Sequence, residues 1–519
     1  MKSHVILREF ISLFVVILVL FSGVWAFRYV KHLYLLSHAD YSGFYVAEIN
    51  NQSAGSGQAK VLSSQLVDTR LYAPQFVSNY SGYQSTIYLF NPNSQSVTVT
   101  AKFNGQPLTS ATQTLNPHQT AKISGSGLAA STNYAVEVSA SLPIAGYMTT
   151  SRGTNDISAL HLIPAKLAGT IVANSKFYVN YASNDGKNDV YNTGHSIMNI
   201  ADYPIKVRIY LKNDYKTTSL SPLLINNNTD IYIPPKTSLN IYAPSVIGQS
   251  YAGTLTAEVV WRGGSFAGPG ELVSTYQATL TNFDTMSYAG VTDTETSQCS
   301  VIMPVFYNAY GVITGFTIQN IQRNYPVDIE GPNQYQIVFY DNRVNPYSGY
   351  TLNSTTSPNS IFGNPTGLTS LDFGESKKHY LGTPLQNGFA QAFQGKIFSL
   401  KVCASGSLQK ISALENSAAY PANNSSVKFI MGDSGFSDSW KGNEFYGILT
   451  DNNLLTSSAF NLFNPAGSLN LKAAIFNSQG TLVNTKMFYL AQYQTLIIFK
   501  GRDLGLPENF LGTVIFTTQ

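Results

Sequence analysis

The chain has 519 residues, only 11% of them charged, and a formal net charge of +3. This balance supplies no field for a nucleic acid. The length allows about three to five domains, and the 33 tyrosines and 29 phenylalanines are enough to fill several small cores.

Phe10 to Phe27 run for 18 residues without a charge, at the lower end of what spans a bilayer. Lys2 and Arg8 precede this stretch, and Arg28 and Lys31 follow it. The flanks are nearly balanced, so the positive-inside rule decides little. Two readings stay open: a retained signal anchor, or a signal peptide cleaved after Val24-Trp25-Ala26, which meets the small-residue rule only loosely. The basic residues beyond that site favour the anchor. Either way the rest of the chain is exported. The expectation is a transmembrane anchor over 1–36, crossing the membrane through residues 10–27, and a linker over 37–68.

A seven-residue pattern then occurs four times: Ser85 to Asn91, Thr193 to Asn199, Thr314 to Asn320 and Ser458 to Asn464. Each copy opens on a hydroxyl residue, alternates apolar with other residues and closes on Asn. Alternation makes it a strand with one face inward, and spacing by about a hundred residues makes it a mark of tandem copies. The closing Asn falls on the inner face, where its short amide can bond nearby backbone and start a turn. His195 takes an inward position that Phe316 and Phe460 hold in other copies, so packing is its expected role.

Each copy has a strand before the pattern: Leu71–Phe76, Phe177–Tyr181, Val301–Phe306 and Val427–Met431. A strand follows it at Val97–Phe103, Ile205–Leu211, Tyr335–Tyr340 and Leu469–Ile475. Late strands are expected at Val136–Ser139, Leu255–Val259, Phe398–Val402 and Thr513–Phe516. About seven short strands per repeat, punctuated by turns and without helices, read as an immunoglobulin-like sandwich. The chain resembles the tandem Ig-like repeats of prokaryotic cell-surface and secreted proteins. Pro74, Gly82 and Asn91 carry the resemblance in the first repeat; Pro304-Val305-Phe306 and Tyr310-Gly311 through Asn320 carry it best in the third. It implies a fold and a location, and no catalytic residue.

The expected fold is therefore all-β, with four Ig-like β-sandwich domains over 69–165, 166–290, 291–422 and 423–519. The first two repeats continue past their late strands, into Pro143–Met148 and Glu271–Tyr276; the fourth shows no such strand. That leaves a sheet edge open to a strand from a partner or a second copy, with residues 40–68 as a candidate donor. The bland reading is a short edge capped locally.

Cys299 and Cys403 both fall in the third repeat. In an oxidising compartment they pair as a disulfide; the alternative is two buried thiols. Gly432-Asp433-Ser434-Gly435 matches a serine-protease nucleophile segment but has no His or Asp partner segment, and is read as turn chemistry. The seven histidines show no metal-binding spacing. Asp185, Asn188 and Asp189 offer oxygens for Ca²⁺ in a loop without EF-hand spacing, where a plain polar loop is the default. Trp261, Trp440 and tyrosines such as Tyr80 can stack on sugars, although core tyrosines with a surface hydroxyl are commoner. Sequons at Asn51, Asn79, Asn227, Asn353, Asn423 and Asn424 leave glycosylation open. The expectation is a membrane-anchored, extracytoplasmic structural or adhesive protein without catalytic residues or cofactor, whose partner is the membrane and a second copy or another surface protein. A carbohydrate-binding adhesin is the alternative.

Overall fold

The computed structural model describes residues 45–50, 61–63, 66–152, 156–179, 181–182, 190–213, 221–248, 250–265, 267–280, 285–294, 300–309, 312–321, 327–328, 335–341, 350–353, 370–371, 376–380, 396–404, 411–419, 429–434, 436–437, 443–449, 458–464, 468–491, 494–507 and 509–519. Regular structure there is mostly strand, in several antiparallel sheets.

The chain opens with β1 (Tyr45–Asn50) and β2 (Val61–Ser63). A first strand set follows: β3 (Asp68–Ser78), β4 (Tyr83–Phe90), β5 (Val97–Phe103), β6 (Gln106–Leu115), β7 (Thr120–Ser124), β8 (Thr132–Arg152), β9 (Asp156–His161) and β10 (Ile163–Pro164). The second set is β11 (Ile171–Val179), β12 (Tyr181–Ala182), β13 (Val190–Asn199), β14 (Ile205–Asn213), β15 (Ser221–Pro222), β16 (Asp230–Ile233), β17 (Ser238–Tyr242), β18 (Tyr251–Arg262), β19 (Leu272–Leu280), β20 (Thr285–Ala289) and β21 (Val291–Thr292). The third is β22 (Ser300–Ala309), β23 (Val312–Asn320), β24 (Val327–Asp328), β25 (Tyr335–Asp341), β26 (Tyr350–Asn353), β27 (Ser370–Leu371), β28 (Ser376–Tyr380), β29 (Lys396–Ala404), β30 (Ile411–Ala419), β31 (Phe429–Ser434) and β32 (Phe436–Ser437). The fourth is β33 (Glu444–Leu449), β34 (Ser458–Phe463), β35 (Leu469–Asn477), β36 (Leu482–Leu490), β37 (Thr495–Phe499) and β38 (Gly512–Thr518).

The seven-residue pattern sits on β4, β13, β23 and β34. Each of these strands lies between two others: β7 and the second half of β8, β17 and β19, β28 and β30, β37 and β1. The strand that leads each set is likewise flanked twice: β3 by β8 and β10, β11 by β18 and β21, β22 by β29 and β32, β33 by β38 and β2. One pairing diagram therefore recurs four times. Its last use draws two strands from the front of the chain: β1 and β2 fall within 40–68, the candidate strand donor, and pair with β34 and β33.

Two sequence expectations need correction. Val427–Met431 was expected to lead the fourth repeat; β31 instead pairs with β30, and β33 leads the fourth set. β32 likewise pairs with β22, so both strands join the sheet of the third set. An apolar run announces a strand but not the sheet it joins. In the first repeat, Val136–Ser139 and Pro143–Met148 belong to one strand, β8. Its first half pairs with β3 and β5, and its second with β4 and β9.

The pattern's chemistry explains its recurrence. The opening hydroxyl caps the leading strand: Ser85 Oγ accepts the Val77 N–H at 2.9 Å, and Thr193 Oγ1 the Tyr178 N–H at 2.9 Å. Both N–H groups lie just past bulges, between Ala73 and Phe76 and between Asn174 and Phe177, where the ladder leaves donors to be satisfied. Pro74 sits inside the first bulge, a place where a strand tolerates proline. The closing Asn is fully buried in all four copies. Asn91 Nδ2 faces the carbonyls of Gln95, Leu115 and Asn116 at 2.7–3.1 Å, and its Oδ1 accepts the Asn93 N–H. Asn199 does the same with Tyr203, Ile233, Pro234 and the Ala201 N–H. Asn464 reaches Leu490 and Ala491. One amide thus holds two loops in register, and no apolar residue can replace it without orphaning buried carbonyls.

The apolar faces pack as the alternation requires. Leu71, Ile87, Leu89, Val99 and Val138 form the first set's core, and Val172, Ile197, Val207, Leu255 and Leu272 the second's. Each contributes about 1.5–3 kcal/mol by leaving water.

The sets also meet one another. Between the second and first, Ser238 Oγ donates to Pro74 O at 2.6 Å, and the Lys236 ammonium lies 3.4 Å from the Glu137 carboxylate and over the Tyr72 ring. Between the first and fourth, the equivalent Thr120 hydroxyl meets that of Thr513 at 2.7 Å, its N–H donates to Ser478 O, and His118 packs on Phe476. Gln319 Nε2 of the third set donates to Thr256 Oγ1 of the second. β1 and β34 lie against β22. The contacts run in a closed circuit. One apolar cluster joins Tyr446, Phe463 and Ile515 of the fourth set through Tyr72 and Tyr147 to Met198 and Val273 of the second.

Candidate functional site

The feature that separates one set from the rest is the place beside β34. β1 fills it with the register Tyr45↔Phe463 through Asn50↔Ser458, six pairs. The equivalent ladders hold eight pairs between β4 and β8 and nine each for β13–β19 and β23–β30. β2 adds Val61↔Gly447 through Ser63↔Phe445 on β33. The receiving surface is well built: Phe460, Leu462 and Phe463 on β34 are buried, and the Phe460 ring meets Phe516 edge-on at 5.3 Å. Gly447 is needed here, because a Cβ on it would lie 2.6 Å from the Phe460 ring.

The second set closes the same place differently. There β18 leads into β19 through a connection fastened at its ends. Arg262 forks onto the Glu271 carboxylate, and Tyr203 Oη donates to the same carboxylate at 2.9 Å. Burial and the Glu271 contact push the Tyr203 phenol up to about 12.

The other expected site residues are dispersed. Cys403 lies on β29 with Ser300 and Gln336 as backbone partners; Cys299 lies outside the described residues, as do Asp185, Asn188, Asp189, Trp440 and residues 10–27. Among the described residues no helix is long and apolar enough to cross a membrane, and no group of three His, Cys, Asp or Glu side chains is placed to hold a metal. Ser434 ends β31, with Leu414 opposite. His195 is buried in the second set, its Nδ1 3.4 Å from Asn174 Nδ2, and desolvation pushes its pKa down to about 3. Of the aromatic candidates, Trp261 is 45% exposed and Tyr80 49%. Lys206 stands opposite both Trp261 and Tyr232 in register, with its Nζ 5.8 Å from the Trp261 ring centre. Tyr232 is 55% exposed. This row of Tyr232, Lys206 and Trp261 was not legible beforehand, since it needs the register of three strands.

No known protein family matches the chain, and no curated protein does. Similar solved structures include the Streptomyces avermitilis α-L-rhamnosidase complexed with L-rhamnose, at 8% identity and a TM-score of 0.13, covering 92% of this chain and 56% of that one. Latent dimeric PorU from Porphyromonas gingivalis is 11% identical with a TM-score of 0.13, covering 71% of this chain and 35% of that one. A tetra-tandem repeat from the extending region of a large adhesion protein is 10% identical with a TM-score of 0.09, covering 83% of this chain and 89% of that one. This chain thus spans about half the length of the rhamnosidase and about a third of PorU. At these scores none of the three carries an argument about its function.

Proposed function

We propose that this chain is a membrane-anchored, extracytoplasmic structural or adhesive protein: four Ig-like β-sandwiches closed into a ring. The observation that carries the reading is the circuit of interfaces, in which the first set meets the fourth through Thr120 as the second meets the first through Ser238. Such repetition builds surface and rigidity. The anchor at residues 10–27 holds the ring by the fourth set, since β1 begins soon after it. A disulfide between Cys299 and Cys403 belongs to the same proposal, and intact mass with and without reduction tests it. Electron microscopy of the purified protein tests the whole: four lobes around a closed ring are expected, and an extended string of lobes overturns it. Protease treatment of intact cells tests the location.

The row of Tyr232, Lys206 and Trp261 favours a second reading, a carbohydrate-binding adhesin. Two exposed rings flank a cation across three strands, about 9.5 Å from first to last, and rings of this kind stack on sugars. A glycan screen with the wild-type protein and Trp261→Ala decides it: binding lost in the variant supports the adhesin, and no binding by the wild type removes it.

A further inference from the structure

We infer that β1 and β2 are a detachable latch, and that the place they leave in the fourth set is a docking site for β1 and β2 of a second copy. This rests on the structural reading above for its setting, and names the partner.

In the other three sets, the strand beside the pattern strand is covalently close to the late strand. It is the same strand in β8, and it follows within ten residues from β18 to β19 and seven from β29 to β30. Such strands return as soon as they fray. β1 lies some four hundred positions from β34 and β38, so its ladder, its packing against β22 and its link to β3 hold it, with no short connection to bring it back. That ladder is the shortest of the four, six pairs against eight or nine. The fourth set also has a core in Phe445, Leu471, Ile498 and Val514, on strands other than β1 and β2.

Without β1 and β2, β34 and β33 would each present one unpaired edge of N–H and C=O groups, one in each of two sheets, on strands that carry the buried Phe460, Leu462 and Phe445. Such edges pair with a matching strand. The strands that fit both edges in the right order are β1 and β2 themselves. The contact between the fourth and first sets runs head to tail, joining different surfaces of one chain. Interfaces of that type close a ring within one molecule or extend between molecules. The link between β2 and β3 is short, so a donated latch brings its own first set against the acceptor's Thr513 and Ser478, where Thr120 binds in the closed form.

The test uses the full chain in detergent. Ala47 and Asn461 are register partners, at a separation where cysteines can bridge. The Ala47→Cys/Asn461→Cys variant therefore clamps the latch when oxidised and frees it when reduced. Two preparations carrying different labels are mixed at high concentration and warmed short of unfolding, and a labelled peptide of residues 45–63 is added to a parallel sample. Native mass spectrometry should find mixed-label oligomers, and the peptide should enter the wild-type protein where a scrambled one does not. Oxidised clamp should lose both, and reduction should restore them. Monomers throughout, or exchange that the clamp leaves untouched, overturn the inference. A closed ring seen by microscopy alongside a failed exchange would sink the latch alone and leave the structural reading standing.

Discussion

The second and fourth strand sets solve one problem with different material. Both place a buried Asn at the end of a pattern strand, and both need a strand along its free side. The second set finds that strand next in sequence and fastens the connection with Arg262, Glu271 and Tyr203. The fourth finds it at the other end of the chain. A local closure is cheap in loop entropy; a remote one spends more chain entropy and completes the fourth set with a short ladder from a distant segment. The difference teaches that the strand sets share a diagram without sharing a connectivity.

The sharpest way to break this comparison is at the Asn. Asn199→Ala and Asn464→Ala each orphan buried carbonyls, and at 1–3 kcal/mol per unsatisfied group each should cost about 3 kcal/mol in denaturant titrations. Hydrogen exchange should separate them. In Asn464→Ala the amides of Tyr45–Asn50 should lose protection with the local damage, whereas in Asn199→Ala those of Leu272–Leu280 should hold until the set unfolds.

Acid sharpens it next. The same pattern position holds His195 in the second set and Phe460 in the fourth, both buried. Burial lowers the histidine pKa from 6.5 to about 3. Between those values the unfolded chain binds a proton that the folded chain refuses, so stability is intact above 6.5 and falls as pH drops below it. At pH 4 the loss is roughly 3 kcal/mol. The second set should therefore open before the fourth on acidification, read by exchange at each pH. His195→Phe should abolish that part of the pH dependence; an unchanged profile would show that the proton is taken up elsewhere.

How much of this was legible depends on distance along the chain. The pattern strands were, because alternation is local, and so was the task of the closing Asn, because only a short amide on an inner face meets loop carbonyls. His195 was placed correctly by its inward position. The assignment of β31 was not, since Phe429-Ile430-Met431 fits either neighbouring sheet and only pairing decides. β1 and β2 lay in a stretch rich in Ser, Gly and Gln. The missing strand of the fourth repeat and a donor within 40–68 were legible from the repeat comparison. Which six and three residues pair, and with which strands, was not, because so few residues carry too little period and their partners are hundreds of positions away. The aromatic row failed for the same reason: Lys206, Tyr232 and Trp261 are neighbours only across strands.

The smallest effect tests whether the contact that closes the circuit is equivalent to one inside it. Ser238→Ala removes the hydroxyl that donates to Pro74 O, and Thr120→Val removes the one that meets Thr513. Each should cost about 1 kcal/mol of global stability if both interfaces are formed in the folded protein. The equivalence should fail once the latch is weakened. In a background where Ala47→Pro disturbs the β1 ladder, Ser238→Ala should keep its full cost, because β3 and β17 stay joined by the local chain. Thr120→Val should then cost almost nothing, because the first and fourth sets have already parted. Equal costs in both backgrounds would mean that the circuit stays closed without its N-terminal strands, and that the fourth set's remote closure is a detail of connectivity with no bearing on how the molecule holds together.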